Sequence, residues 1–192
     1  GYAMDCAQGV ITALVRDGKE VPTLKRGESG QMIVNQTPFY GESGGQIGDV
    51  GIVHHGAGAG GRITDTAKPL DGLFVHEVTV DDGELKVGET VELEIDVERR
   101  ARIRANHSAT HLLHAVMRNQ LGEHITQKGS MVADDRLRFD VTHPKQISRE
   151  EVIAIEAEVN QLIWQNSEVN TRLMTSEDAI KAGAMALFGE KY

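Results

Sequence analysis

Short runs in which apolar and polar residues alternate fill the first half of the chain, and this pattern predicts β-strands. Residues 74–80 (FVHEVTV) and 91–97 (VELEIDV) alternate most clearly, so each of these strands should bury one face. Asp17 and Gly18 have the composition of a two-residue hairpin turn. Short strands at this spacing predict a small antiparallel β-barrel. The candidate strands are residues 10–15, 32–34, 51–54, 62–66, 74–80 and 91–97.

A helical period replaces the alternation at about residue 98. Residues 98–121 contain neither Pro nor Gly, which allows about six helical turns, and Gly122 supplies a stop signal. On a helical projection the two faces differ in character. One face carries His107, His111, His114 and Arg118. The opposite face, which we predict to be the core stripe, carries Ala105, Ala109, Leu112 and Val116.

Strand and helix signals then follow in turn. Residues 125–132 and 136–141 predict two strands joined by a turn. Ser148 and Glu151 form a capping box, which begins a helix that should end near Asn166. The predicted core face of this helix comprises Val152, Ile155, Val159, Leu162 and Ile163.

The order of these elements predicts an α+β fold with two parts. Residues 168–175 predict one more strand, and residues 176–178 begin a short final helix. The change of period places a boundary between residues 97 and 98. We therefore expect a small antiparallel β-barrel with a glycine-rich loop at residues 1–97, and an α+β part at residues 98–192 in which helices pack on an antiparallel sheet.

Composition and charge exclude several classes of protein. No apolar run approaches the roughly 20 residues of a membrane-spanning helix, so no membrane partner is expected. The single cysteine, Cys6, excludes an internal disulfide and fits a cytoplasmic location. A net charge of −9 argues against strong non-specific binding to nucleic acid.

The spacing of His107 and His111 is the first sign of chemistry. Two imidazoles four residues apart on a helix reach one metal ion from adjacent turns, although solvated histidines also occur at this spacing. A zinc protease would carry Glu directly after the first histidine. Ser108 occupies that position, so the sequence does not favour peptide hydrolysis of that kind.

Two other segments have both an ordinary and a functional interpretation. Residues 40–46 (YGESGGQ) form either a tight turn between strands or a loop whose N–H groups approach a ligand closely. Four arginines in the first turns of the helix form either a solvated face paired with acidic residues or a phosphate contact. These arginines are Arg99, Arg100, Arg102 and Arg104.

Five segments together resemble a known family. The helix carries NHSATHLLH at residues 106–114, and TQKGS and RLRFD follow at 126–130 and 136–140. Upstream lies TPFYGESGGQIGD at 37–49, and the tail reads GAMALFGEKY at 183–192. In order and in sequence, these segments closely resemble the editing domain of alanyl-tRNA synthetases and the segment just before it.

This resemblance implies hydrolysis of the ester in wrongly charged seryl- or glycyl-tRNA(Ala) at a zinc-dependent site. His107 and His111 match the first two zinc ligands of the family, and a later Cys-x-x-x-His segment supplies the other two. Cys6 belongs to no such segment, so the remaining ligands are expected beyond residue 192 and the chain should be a fragment with half of a zinc site. Thr110 and Gln127 match positions of the family's pocket, where a hydroxyl and an amide can read the seryl side chain and orient water.

The resemblance also implies substrate contacts and partners. Gly44, Gly45 and Gln46 should lie near the substrate, and Arg102 should contact phosphate at the acceptor end of tRNA(Ala). The remainder of the parent synthetase, which also binds ATP, is the second expected partner. His54, His55 and His76 lack ligand companions and are expected to be ordinary strand or surface residues.

Three alternatives stay open. The chain also fits a free-standing protein that edits tRNA in trans, or the related editing module of threonyl-tRNA synthetase. The third alternative is a tRNA-docking module without catalysis.

Overall fold

The computed structural model describes residues 4–56, 59–168, 170 and 172–183, and within them the chain forms strands in its first half and mixed elements in its second. The strands of the first half are β1 (Cys6–Arg16), β2 (Lys19–Glu20), β3 (Thr23–Lys25), β4 (Ser29–Val34), β5 (Gly51–His55), β6 (Ala59–Leu70), β7 (Leu73–Asp82), β8 (Glu84–Lys86) and β9 (Thr90–Ile95). The second half contains α1 (Val97–Leu121), β10 (Gln127–Val132), β11 (Leu137–Val141), α2 (Arg149–Gln165) and α3 (Ser176–Lys181).

Six of the strands close into an antiparallel barrel, which confirms the predicted fold class. Their order is β1-β4-β7-β6-β5-β9, and β9 pairs back onto β1. Asp17 and Gly18 turn β1 into β2 with φ angles of 51° and 73°, as their hairpin composition predicts. Buried aliphatic side chains such as Leu14, Met32 and Leu93 fill the interior.

Helix α1 forms over the predicted residues. The Asp96 side chain accepts a hydrogen bond from the Arg99 backbone N–H at 2.8 Å, and Gly122 ends the helix with a φ of 118°. The predicted division of the helix faces is wrong in part, because Ala105 of the predicted core stripe is exposed whereas His114 of the opposite face is buried. On that opposite face His107 is half-buried and His111 is exposed. The physical reason is that this face packs on the barrel's glycine-rich loop and on β10 and β11. Val116 is buried as predicted.

Helix α2 packs on α1 and begins with the predicted capping box, in which Ser148 and Glu151 exchange hydrogen bonds. Ile155 is buried between the two helices, together with Val116 and Met117. The predicted core face is too wide, since Val152 and Ile163 are about half exposed.

Two predictions at the end of the chain have different outcomes. The residues described between 168 and 175 do not form the predicted strand. A strand requires a partner for its backbone groups, and no strand pairing includes the described residues of this segment. The predicted short helix is present as α3, whereas the tail motif from residue 184 onward lies outside the described residues. No helix in the described ranges has the length and apolar character needed to cross a membrane.

Candidate functional site

A cavity of about 520 Å³ lies where the glycine-rich loop, helix α1 and the β10–β11 hairpin meet. Its volume falls within the range of about 300–1,000 Å³ that small-molecule sites occupy. The structure therefore brings together segments from both halves of the chain. The predicted site residues that line the cavity are Gly44, Gly45, His107, Thr110, His111 and Gln127.

The glycine-rich loop reaches the cavity by pairing with β10. The Val132 N–H donates to the Gly45 carbonyl at 2.8 Å, and the Ile47 N–H donates to the Val132 carbonyl at 3.1 Å. Gly45 has a φ of 83°, and a Cβ at this position would lie 2.5 Å from the Ser130 hydroxyl oxygen. Both the backbone conformation and the close approach require glycine here.

A buried ion pair fixes the same loop to helix α1. The Arg100 guanidinium binds the Asp49 carboxylate, and its Nε donates hydrogen bonds to both carboxylate oxygens at 2.9 and 3.0 Å. The Tyr40 N–H also donates to Asp49, at 2.6 Å, and Arg100 donates to the Pro38 carbonyl at 3.1 Å. Both charged side chains are buried, so this contact belongs to the interior of the protein.

The two predicted zinc ligands stand side by side on α1. The rings of His107 and His111 lie 5.2 Å apart between centroids, with an angle of 16° between their planes. Burial lowers the pKa of His107, and the nearby His111 lowers it further. A lowered pKa favours the neutral imidazole, which is the form that binds metals.

The donor atoms suit zinc in type, and the described part of the chain supplies two of them. No group of three or more His, Cys, Asp or Glu side chains within the described ranges is arranged to hold a metal ion. Structural zinc sites have four protein ligands and catalytic sites have three. A zinc ion held by His107 and His111 therefore requires further ligands.

Thr110 and Gln127 present different hydrogen-bonding capacity to the cavity. The Thr110 hydroxyl donates to the Asn106 carbonyl at 2.8 Å, so its oxygen retains lone pairs that accept hydrogen bonds. Gln127 begins β10 beside a break in register between Gln127 and Gly129. Its amide forms no hydrogen bond with the described residues, so both its donors and its acceptor are available to a ligand.

Gln46 and Arg102 lie outside the cavity wall. The Gln46 side chain is 1% exposed, and its carbonyl oxygen accepts a hydrogen bond from His107 Nδ1 at 2.6 Å. The substrate contact that the sequence analysis predicts for Gln46 stays a prediction. The Arg102 side chain is 53% exposed and lies 3.7 Å from Asp134, which matches the interpretation of a solvated, paired face.

Sequence reasoning left His114 out of the site, yet the structure places it in the cavity wall. Its ring is buried and lies 5.1 Å from the Phe139 ring between centroids. The only feature of the sequence that pointed to a place for His114 in the site was its position one helical turn after His111. None of the residues that line the cavity in the described part of the chain is an aspartate or a glutamate.

Comparisons with known proteins identify the family of the chain. The family model "tRNA synthetases class II (A)" matches residues 1–99, which is more than half of the 192-residue chain. The chain belongs to this family of class II tRNA synthetases.

Among individual proteins, the whole chain is similar to alanine–tRNA ligases. It is 55% identical over 192 residues to the enzyme of Bradyrhizobium diazoefficiens and 56% identical over 192 residues to that of Sphingopyxis alaskensis. In both comparisons the chain is covered completely and spans 22% of the length of the relative.

Proposed function

We propose that this chain forms an editing site of an alanine–tRNA ligase, which hydrolyses the ester of tRNA(Ala) wrongly charged with serine or glycine. The observation that carries the proposal is the shared cavity, in which Thr110 and Gln127 meet the histidine pair of α1. The similarity of the whole chain to alanine–tRNA ligases supports a role in the same enzyme.

The residues of the cavity suit a mechanism in which the ester is hydrolysed because the substrate and a water molecule are held in position. An aminoacyl ester is already activated, so a catalyst must place a water molecule and stabilise the oxyanion that develops. Among the described residues that line the cavity, none carries a carboxylate that would act as a general base. The Gln127 amide forms no hydrogen bond with the described side chains, and its N–H groups can donate to the oxyanion or orient the water.

Thr110 offers a basis for selecting serine over alanine. Its hydroxyl already donates to the backbone of Asn106, so its oxygen accepts a hydrogen bond from the seryl hydroxyl. Alanine has no hydroxyl and would leave this buried oxygen without that bond, and sites of this type discriminate strongly. Glycine requires a different explanation, since it also lacks the hydroxyl.

His107 and His111 would hold zinc in the complete enzyme. A zinc ion bound there would anchor the amino group of the substrate, activate water or polarise the ester carbonyl. The neutral state that burial favours for His107 is compatible with this role. The remaining ligands would come from the Cys-x-x-x-His segment expected from the family resemblance.

The acceptor end of tRNA(Ala) would reach the cavity while other parts of the parent synthetase supply most of the affinity. The chain carries a net charge of −9, and Arg102 already lies near Asp134. Only a modest local contact with phosphate is therefore expected. A cytoplasmic location belongs to the same proposal.

The test is hydrolysis of seryl-tRNA(Ala) and alanyl-tRNA(Ala) by the full-length protein. We expect release of serine and not of alanine, and loss of this activity in His111→Ala and Gln127→Ala. His54→Ala and Gln31→Ala are matched controls, because both residues lie in barrel strands outside the cavity. Their activity should equal that of the wild-type protein.

A tRNA-docking module without catalysis is the competing function. It would bind tRNA(Ala) normally and release no serine. That result in the wild-type protein would refute the editing proposal.

A further inference from the structure

The hydrogen bond between Gln46 and His107 links the barrel to the candidate zinc site. The Gln46 carbonyl oxygen lies 2.6 Å from His107 Nδ1. The two residues are 61 positions apart in the chain, and one belongs to the glycine-rich loop while the other belongs to α1. The contact is therefore a product of the fold.

Gln46 is held firmly in place. Its backbone N–H donates to the Ser43 carbonyl at 3.0 Å, and its own carbonyl accepts from the Ser43 N–H at 3.2 Å. The next residue, Ile47, pairs with Val132 of β10. With 1% of Gln46 exposed, the position of its amide is fixed by the loop.

The bond determines which nitrogen of His107 remains for a ligand. A neutral imidazole carries one N–H and one lone pair. A carbonyl oxygen only accepts, so Nδ1 must carry the hydrogen and the lone pair must lie on Nε2. Histidines that bind metals commonly donate their second N–H in this way, and loss of the acceptor weakens metal binding about 10–100-fold.

We propose that Gln46 is a positioning residue that fixes His107 in the Nδ1–H tautomer, with Nε2 ready to bind zinc. The glycine-rich loop of the barrel thereby controls the zinc affinity of a site whose described ligands lie on α1. The inference rests on the proposed zinc-dependent editing function. It replaces the substrate contact that the sequence suggested for Gln46 with an indirect role.

The first test is the tautomer of His107 in this chain without metal, measured by ¹⁵N NMR after selective histidine labelling. Wild-type protein should show hydrogen on Nδ1. Gln46→Met has a similar length and no acceptor, so the fixed tautomer should be lost. Gln46→Glu keeps an acceptor and should retain it. Hydrogen on Nε2 in the wild-type protein, or an unchanged tautomer in Gln46→Met, would overturn the proposal.

The second test is the Zn²⁺ affinity of the full-length protein, measured by competition with a chelator, because His107 and His111 alone do not complete a zinc site. Gln46→Met should bind Zn²⁺ about 10–100-fold more weakly, Gln46→Glu should restore binding, and the barrel control Gln31→Met should match the wild-type protein. Equal affinity in Gln46→Met, or no Zn²⁺ binding by the wild-type full-length protein, would refute the role assigned to Gln46.

The two tests are independent of the editing reaction. A full-length protein that fails to release serine would contradict the proposed function, whereas the tautomer and the Zn²⁺ affinity would still decide the role of Gln46. Circular dichroism of each variant checks the fold, because a purely structural role would lower stability without a selective change in Zn²⁺ binding.

Discussion

Replacing Arg100 with methionine would separate the glycine-rich loop from helix α1. The substitution keeps most of the apolar length of the side chain and removes the guanidinium. The Asp49 carboxylate would then stay buried with the Tyr40 N–H as its remaining partner among the hydrogen bonds described above. The Pro38 carbonyl would lose the donor that Arg100 provides.

The expected loss of stability is large because both side chains are buried, at 4% and 2% exposure. Removing one partner of a buried ion pair typically lowers the free energy of unfolding by about 3–5 kcal/mol. That is a substantial fraction of the roughly 5–15 kcal/mol that stabilises a typical domain. The double variant Arg100→Met/Asp49→Leu removes both charges, so we expect it to regain about 2 kcal/mol or more relative to Arg100→Met.

Urea unfolding followed by circular dichroism would measure these differences in the free energy of unfolding. The dependence of that free energy on urea concentration should be the same in every variant. Arg62→Met is a matched control, since two nitrogens of Arg62 likewise donate hydrogen bonds to the carboxylate of Asp81. Its side chain is 64% exposed, so its loss should cost at most about 1 kcal/mol. The reasoning fails if Arg100→Met costs no more than Arg62→Met, or if the double variant is as unstable as the two single changes added together.

Three further predictions concern stability. Burial lowers the pKa of His76 to about 4, against a weaker opposing effect of the hydrogen bond to the Met32 carbonyl. Because this histidine takes up a proton near pH 6.5 in the unfolded chain, the free energy of unfolding of the wild-type protein should fall by roughly 3 kcal/mol between pH 6.5 and 4. His76→Gln should lack this component when unfolding is measured across the same pH range. Gly45→Ala should unfold at a clearly lower temperature than Gly44→Ala, because both positions have positive φ whereas only Gly45 lies against other atoms; equal melting temperatures would contradict the close-contact argument. Ser148→Ala removes the capping box of α2 and should lower the unfolding free energy by about 1 kcal/mol in urea titrations, while an unchanged midpoint would show that the cap contributes nothing.

Local signals in the sequence predicted the elements well because their physics is local. Asp17 and Gly18 adopt the positive φ angles that a two-residue hairpin needs. Ser148 and Glu151 satisfy the first N–H groups of α2 within four residues of chain. The alternation of the first half likewise predicted the barrel, since closing a small sheet buries one face of each strand.

The contacts that build the cavity were not predictable in the same way. Arg100 and Asp49 are 51 residues apart, and no periodicity connects them. The histidine face of α1 looked solvent-exposed because its residues are polar. It is partly buried, with His114 inside and His111 exposed, because Gln46 and the β10–β11 hairpin supply partners that only the folded chain brings near. The family resemblance led to the site residues, whereas composition and spacing alone left several interpretations open.

The pairing of Gly45 with Val132 also determines the order in which the protein can assemble during synthesis. The barrel strands leave the ribosome first, and domains generally fold from the N-terminus as the chain emerges. The glycine-rich loop can pair with β10 only after β10 has been synthesised. At about 5–20 residues per second, the interval between the barrel strands and β10 is on the order of several seconds. The cavity is consequently completed late in translation, so a chain interrupted within α1 would contain every strand of the barrel and would lack the cavity.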